Sequence, residues 1–143
     1  MKSRITQIVI IVATFAVAMI KMFDKTDRII LHWDFFGNVT CYGSKYCIMF
    51  LPVVSVILYV LFRDYEKTPG RLIHVPKGGM TPERTIIMGR FIRVAAPLIL
   101  LILLYVTMCS AQMLTLRPLV ILAVLLFVVG YYAYVYRKIR SKE

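Results

Sequence analysis

Four long apolar runs constrain this chain more than any other feature. They cover residues 5–23, 46–62, 94–114 and 119–136. A helix crosses the hydrocarbon of a bilayer with about 20 apolar residues, within a range of about 17–25, and each run falls inside it. The second run is short, but Lys45 and Arg63 flank it, and local thinning of the bilayer accommodates that. Between the third and fourth, Thr115-Leu116-Arg117-Pro118 interrupts a stretch too long for one crossing and reads as a tight turn. With no water in the hydrocarbon, every backbone polar group must be satisfied internally, so the runs are expected to be helices. Composition agrees: 60% of the residues are hydrophobic and 17% charged. A soluble fold of this size would lack the polar side chains to cover its surface. The expectation is an all-α integral membrane protein, one domain over residues 1–143, with four transmembrane helices.

Charge sets the expected orientation. The net charge is +11, and the Lys and Arg residues lie between the apolar runs, as they do where they fix topology. Lys2, Arg4, Arg63, Lys67, Arg71, Lys77, Arg84, Arg90, Arg93, Arg137, Lys138, Arg140 and Lys142 fall on one side of a four-span topology. Only Lys21, Lys25, Arg28, Lys45 and Arg117 fall on the other. The positive-inside rule therefore predicts both termini in the cytoplasm, with 24–45 outside and 63–93 inside. The basic residues are expected to meet lipid headgroups, not nucleic acid. Lys21 is expected to snorkel to the headgroups, and Tyr131, Tyr132, Tyr134 and Tyr136 to form an interfacial belt. A rival reading takes Met1 to Ala18 as a cleaved signal peptide with Ala16-Val17-Ala18 as its small-x-small site. The rest of the topology survives either way.

The basic connection 63–93 carries turn signals at Thr68-Pro69-Gly70 and Lys77-Gly78-Gly79. Thr81-Pro82-Glu83 reads as a cap, an N1 proline and a first-turn acid, so a helix from Pro82 should run along the interface or straight into the third span. His74 reads as a solvated loop histidine. Pro52 is predicted one to two turns inside the second helix, bending it. Thr6, Gln7, Thr14, Ser55, Thr107, Ser110 and Gln112 suit helix–helix hydrogen bonds. Cys109 reads as a small packing residue. No internal repeat is visible.

The outer connection is the informative one. Leu31, Trp33 and Phe35 alternate with His32 and Asp34, so an extended segment puts the two sets on opposite faces. There His32 and Asp34 could pair. Gly37-Asn38 reads as a two-residue hairpin turn with Gly supplying positive φ; Gly43 is read as sharing that need, and Ser44 can cap the second span. Asp34 and Lys45 could pair across the loop. The whole is expected to be a small ordered loop on the outer membrane surface.

These residues resemble a bacterial membrane family, domain of unknown function 1648, which is also the N-terminal domain of Sdp-type immunity proteins. Its members look like a transmembrane helix, then a segment carrying His, an aromatic and Asp or Asn, a Gly three positions on, and an aromatic-Gly-Ser-Lys run. A second helix with an early Pro follows. His32-Trp33-Asp34, Gly37, Tyr42-Gly43-Ser44-Lys45 and Pro52 match. The resemblance covers about residues 11–62. Ile30 stands where the family usually has Pro, and Thr40-Cys41 replaces Asp or Asn followed by Gly. The resemblance implies a bacterial cytoplasmic membrane and relatives, longer than this chain, that protect against a secreted peptide toxin.

Chemistry is thin. His32, Asp34, Cys41 and Cys47 would make a zinc site only if the loop folded back, and no metal or other cofactor is expected. A Cys41–Cys47 disulfide on the oxidising side stays open. The two histidines fall on opposite sides of the membrane, so neither serves a nucleophile as base together with the other. No carboxylate lies in any span to mark an ion path. Two functions remain. One is a non-enzymatic immunity or envelope-sensing module whose outer loop meets a peptide toxin, another membrane protein or a lipid. The other is a small transporter or transporter subunit, for which a homo-oligomer would supply the pathway.

Overall fold

The computed structural model describes residues 2–71 and 81–141; His74 and Lys77-Gly78-Gly79 lie outside the described residues. The described chain is mostly helical. Its elements are α1 (Lys2–Phe23), β1 (Arg28–Trp33), β2 (Val39–Ser44), a 3₁₀ segment (Lys45–Met49), α2 (Phe50–Lys67), a 3₁₀ turn (Pro69–Arg71), α3 (Pro82–Ser110) and α4 (Pro118–Arg140). Four helices are long and apolar enough to cross a membrane.

Local chemistry explains the helix ends. Thr81 accepts the Arg84 N–H at 3.3 Å, Pro82 follows the cap and Glu83 sits in the first turn. The helix from Pro82 therefore runs straight into the third span and makes α3 29 residues long, about 44 Å at 1.5 Å per residue. α3 ends at Ser110, not at 114 as the apolar run suggested. Ala111 caps it and Gln112 takes φ of 65°, because Ser110 and Gln112 turn their side chains to β1. α2 reaches Lys67 instead of stopping at 62, its polar last turn supported by Arg63–Glu66 at 3.0 Å.

Two prolines stand apart from the sequence reading. Pro52 is the third residue of α2, in its first turn and not one to two turns inside, where proline is tolerated. It serves as a fully buried packing residue. The interior proline is Pro97 of α3. Lacking an N–H, Pro97 frees the carbonyl of Arg93, and the Ser3 hydroxyl of α1 donates to that carbonyl at 3.1 Å. Gln7 Nε2 in turn donates to Ser3 Oγ at 3.1 Å. Other buried hydroxyls do not bridge helices as expected. Thr14, Ser55 and Thr107 donate back to Ile10, Leu51 and Leu103 of their own helices.

α3 is the central helix and packs against α1, α2 and α4. α1 and α2 also pack on each other, whereas α4 has α3 as its main neighbour. Three apolar tiers run along the bundle. Ile10, Ile11 and Leu100 join α1 to α3, with Leu58 and Tyr59 of α2 against them. Ala18, Ile29, Ile48 and Ala111 hold the base of the hairpin. Met88, Phe91, Ile92, Ala95, Val135 and Ile139 join the N-terminal half of α3 to the C-terminal half of α4. Tyr131 and Tyr132 contribute to that last tier, with ring centroids 5.5 and 5.6 Å from Phe91. The expected interfacial belt is thus partly a packing cluster; Tyr134 stays exposed under Lys138 Nζ at 5.9 Å.

Candidate functional site, a hairpin seated on the α3–α4 connection

β1 and β2 pair antiparallel in a two-stranded hairpin. The turn holds three residues, Phe35-Phe36-Gly37, not two. Gly37 N–H donates to Asp34 O at 3.0 Å, and Asp34 N–H donates to Asn38 O at 2.9 Å. Gly37 has φ of 90°, the left-handed residue that closes a three-residue hairpin loop. The Asp34 carboxylate accepts the N–H groups of Phe36 and Asn38 at 2.9 and 2.8 Å and Asn38 Nδ2 at 2.8 Å. Those donors, Asn38 Nδ2 first, hold its carboxyl below the usual range. Asp34 is therefore spent on the turn and pairs with neither His32 nor Lys45.

The ladder slips between Ile30 and His32 and again between His32 and Trp33. One extra residue reverses the facing of those beyond it, so the expected alternation fails and Leu31 is 47% exposed. Ile29 is instead the anchor, 1% exposed against Ala18, Ile48 and Ala111. His32 Nδ1 lies 2.6 Å from Thr40 Oγ1, and that hydroxyl lies 3.2 Å from the His32 carbonyl. This geometry supports a loop-holding role. Replacing His32 by Ala or Thr40 by Val should each raise protease sensitivity of the loop, by the about 0.5–1.5 kcal/mol of one such bond. The double variant should add little, and a fully additive double variant would show that the two side chains do not act as a pair.

The base of the hairpin is held by charge. Lys21 does not snorkel: it is 2% exposed, with Nζ 3.0 Å from Asp24 Oδ2 and 2.6 Å from Thr26 Oγ1. Lys45 pairs with Asp27 at 2.8 Å and donates to the Asp24 carbonyl at 3.2 Å. Ser44 accepts the Tyr46 N–H at 3.4 Å and so caps the 3₁₀ segment leading into α2. Thr26 and then Lys21 hold the Asp24 carboxyl far below its ordinary range, and Lys45 lowers that of Asp27. Asp27 in return raises Lys45 above its ordinary value.

The pH dependence follows in sign. Carboxyls lowered by folding stabilise the hairpin fully above their unfolded value of about 3.9 and lose that effect as pH falls through the folded values. A raised lysine stabilises fully below about 10.4 and loses its effect as pH rises through its folded value. Trp33 emission, reporting the hairpin, should stay constant between about pH 5 and 9 and change only outside that window. A transition near pH 6 would contradict this assignment.

Two further bonds seat the hairpin on the end of α3. Ser110 Oγ donates to the Ile30 carbonyl at 2.5 Å and Gln112 Nε2 to that of Arg28 at 3.3 Å. The Tyr105 hydroxyl pins the connection, donating to Thr115 O at 3.2 Å and accepting Arg117 N–H at 2.9 Å. The hairpin tip meets that connection: a Cβ on Gly37 would stand 3.0 Å from Leu116 O and 3.0 Å from Pro118 Cδ. Between tip and α4 lies an apolar cleft of about 960 Å³, lined by Leu31–Phe36 and by Leu116–Leu122 and Leu125.

Of the residues singled out from sequence, His32, Trp33 and Asp34 line this cleft and Gly37 closes on its far wall. Tyr42, Gly43, Ser44 and Lys45 lie at the other end of the hairpin. Gly43 does not take the left-handed conformation; a Cβ there would instead crowd the Leu31 side chain, 2.7 Å from its Cγ. Sequence reasoning missed Leu116, Arg117, Pro118, Leu119 and Leu122. The only signal for them was an Arg-Pro pair in a short connection on the same side as the motif loop. Cys41, Cys47 and Cys109 are free thiols, and no cluster of metal-ligating side chains occurs among the described residues.

The fold defines a class: a mostly helical chain with four helices able to cross a membrane, crowned at one end by a hairpin. No family model, curated protein or solved structure matches the chain.

Proposed function

We propose that the chain is a non-enzymatic multi-pass protein of the bacterial cytoplasmic membrane, with both termini in the cytoplasm. In this reading it is an immunity or envelope-sensing module whose outer hairpin meets a membrane-active peptide or a lipid. The observation that carries the reading is the docking of the hairpin on the α3–α4 connection. Motif residues of one outer loop and the start of α4 share a single apolar cleft. Its lining is mostly apolar with a few polar side chains, His32, Asp34 and Arg117, as is usual where small ligands bind. The motif resemblance points the same way, and the basic residues on the opposite side support the orientation.

The test is a challenge of cells with membrane-active peptides. Cells carrying the chain should survive concentrations that kill cells lacking it. Gly37→Val, inserted at equal level, should remove the protection. Equal survival with and without the chain across a panel of such peptides would overturn the immunity reading.

A further inference from the structure

We propose that the cleft between the hairpin and α4 binds an anionic phospholipid, with an acyl chain along α4 and the phosphate at Arg117 and His32. The proposal deepens the reading of the hairpin as a recognition element and rests on it.

The shape of the cleft comes first. Leu119, Leu122 and Leu125 form its α4 wall, and all three are exposed. α4 is held chiefly by the tier at its opposite end, Val135 and Ile139 against Met88 and Phe91. The wall near Leu119 belongs to a helix long and apolar enough to cross a membrane, so in the proposed topology the cleft opens sideways onto hydrocarbon. A trough of this kind fills with an acyl chain without leaving any polar group unpaired. A peptide would bring backbone N–H and C=O groups into it, each costly without a partner.

The charge of the rim comes second. Arg117 is exposed and has no carboxylate within ion-pair distance among the described residues. Its backbone N–H, not its guanidinium, makes the bond to Tyr105. His32 uses Nδ1 on Thr40 and keeps Nε2 unpaired. Asp34, the one carboxylate in the lining, has its oxygens turned into the hairpin by three donors. The available polar groups at the mouth are thus a guanidinium fork, which matches phosphate geometry, and an imidazole. An anionic head above an apolar tail is a phospholipid, and the bilayer supplies it.

Trp33 is the only tryptophan and lines the cleft, so it reports on the occupant. The full chain is placed in phosphatidylcholine vesicles containing phosphatidylglycerol, with bromine on the acyl chains of one lipid or the other. At equal mole fraction, brominated phosphatidylglycerol should quench Trp33 as though enriched about fivefold over brominated phosphatidylcholine, the effect of one basic contact. Arg117→Gln should make the two lipids equal, and Arg117→Lys should retain the preference. Equal quenching by both lipids in the unaltered chain would overturn the proposal. So would a preference that survives Arg117→Gln, or no quenching by either lipid together with quenching by a brominated amphipathic peptide. If the lipids prove equal while Gly37→Val still abolishes protection in the peptide challenge, the lipid assignment falls and the recognition reading stands. If the preference holds while Gly37→Val protects fully, the reverse is true.

Discussion

Gly37→Val should undo the hairpin while leaving the four apolar helices intact. Two independent effects meet at this residue. Its φ of 90° costs a side-chain-bearing residue about 1–2 kcal/mol, and a β-branched one more, because its χ1 is already restricted. The added Cβ also stands 3.0 Å from the carbonyl oxygen of Leu116 and from the ring of Pro118. Those are backbone and a rigid ring, so they cannot swing aside, and the tip must lift from the connection. The expected result is a protease-sensitive hairpin, a shifted Trp33 emission and, under the proposed function, loss of protection, with the amount of inserted protein unchanged. Gly43→Ala gives the contrast. The atoms it would crowd, Cδ1 and Cγ, belong to the half-exposed side chain of Leu31, which must change rotamer, so its effect should fall on that side chain and leave the tip docked. Equal effects at the two glycines would mean that docking of the tip does not matter.

Phe91→Ala should release α4. The tier that joins α3 to α4 has Phe91 near its centre, against Tyr131 and Tyr132, and α4 has no other comparable neighbour. In soluble cores a Phe→Ala change costs about 3–5 kcal/mol. Lipid tails are as apolar as the lost ring, so the lower end, about 3 kcal/mol, is expected. Spin labels at Leu101 on α3 and Leu126 on α4, both exposed, measure the consequence. Their distance distribution should be narrow in the unaltered chain and broad in Phe91→Ala. Phe23→Ala, at a residue 82% exposed, should leave it narrow. An unchanged distribution in Phe91→Ala would show that α4 is held by something other than this tier.

The helices were legible because hydrocarbon imposes a length and a composition that no other environment does. Their ends were less so, for particular reasons. The 94–114 run continues in sequence past the point where α3 stops, because Ser110 and Gln112 bond to β1 carbonyls, a partner 80 or more residues away. Pro52 falls in the first turn of α2 and not deeper, because Lys45–Met49 form a 3₁₀ segment and α2 starts at Phe50. Pro97 passed unnoticed inside a uniform apolar run, although Ser3 of α1 serves the carbonyl it frees. In the site, the positive φ of Gly37 and the cap at Ser44 were readable from local rules. The His32–Thr40 contact and the failed alternation at Leu31 depend on ladder slips that periodicity does not reveal. Lys21 departs from snorkelling because Asp24 and Thr26 offer it partners within five residues, a local pattern that could have been read. Arg117 and the α4 wall could not, since only the fold brings them beside the motif.

The central claim of the proposed function is that the hairpin and the α3–α4 connection form one site facing out of the cell, opposite the basic end of the bundle. Cysteine accessibility tests it most directly, in a chain whose Cys41, Cys47 and Cys109 have been replaced. A maleimide that cannot cross membranes should label Asn38→Cys and Thr115→Cys in intact cells, and Thr81→Cys only after the cells are opened. Labelling of Thr81→Cys in intact cells, or protection of Thr115→Cys while Asn38→Cys reacts, would contradict the account.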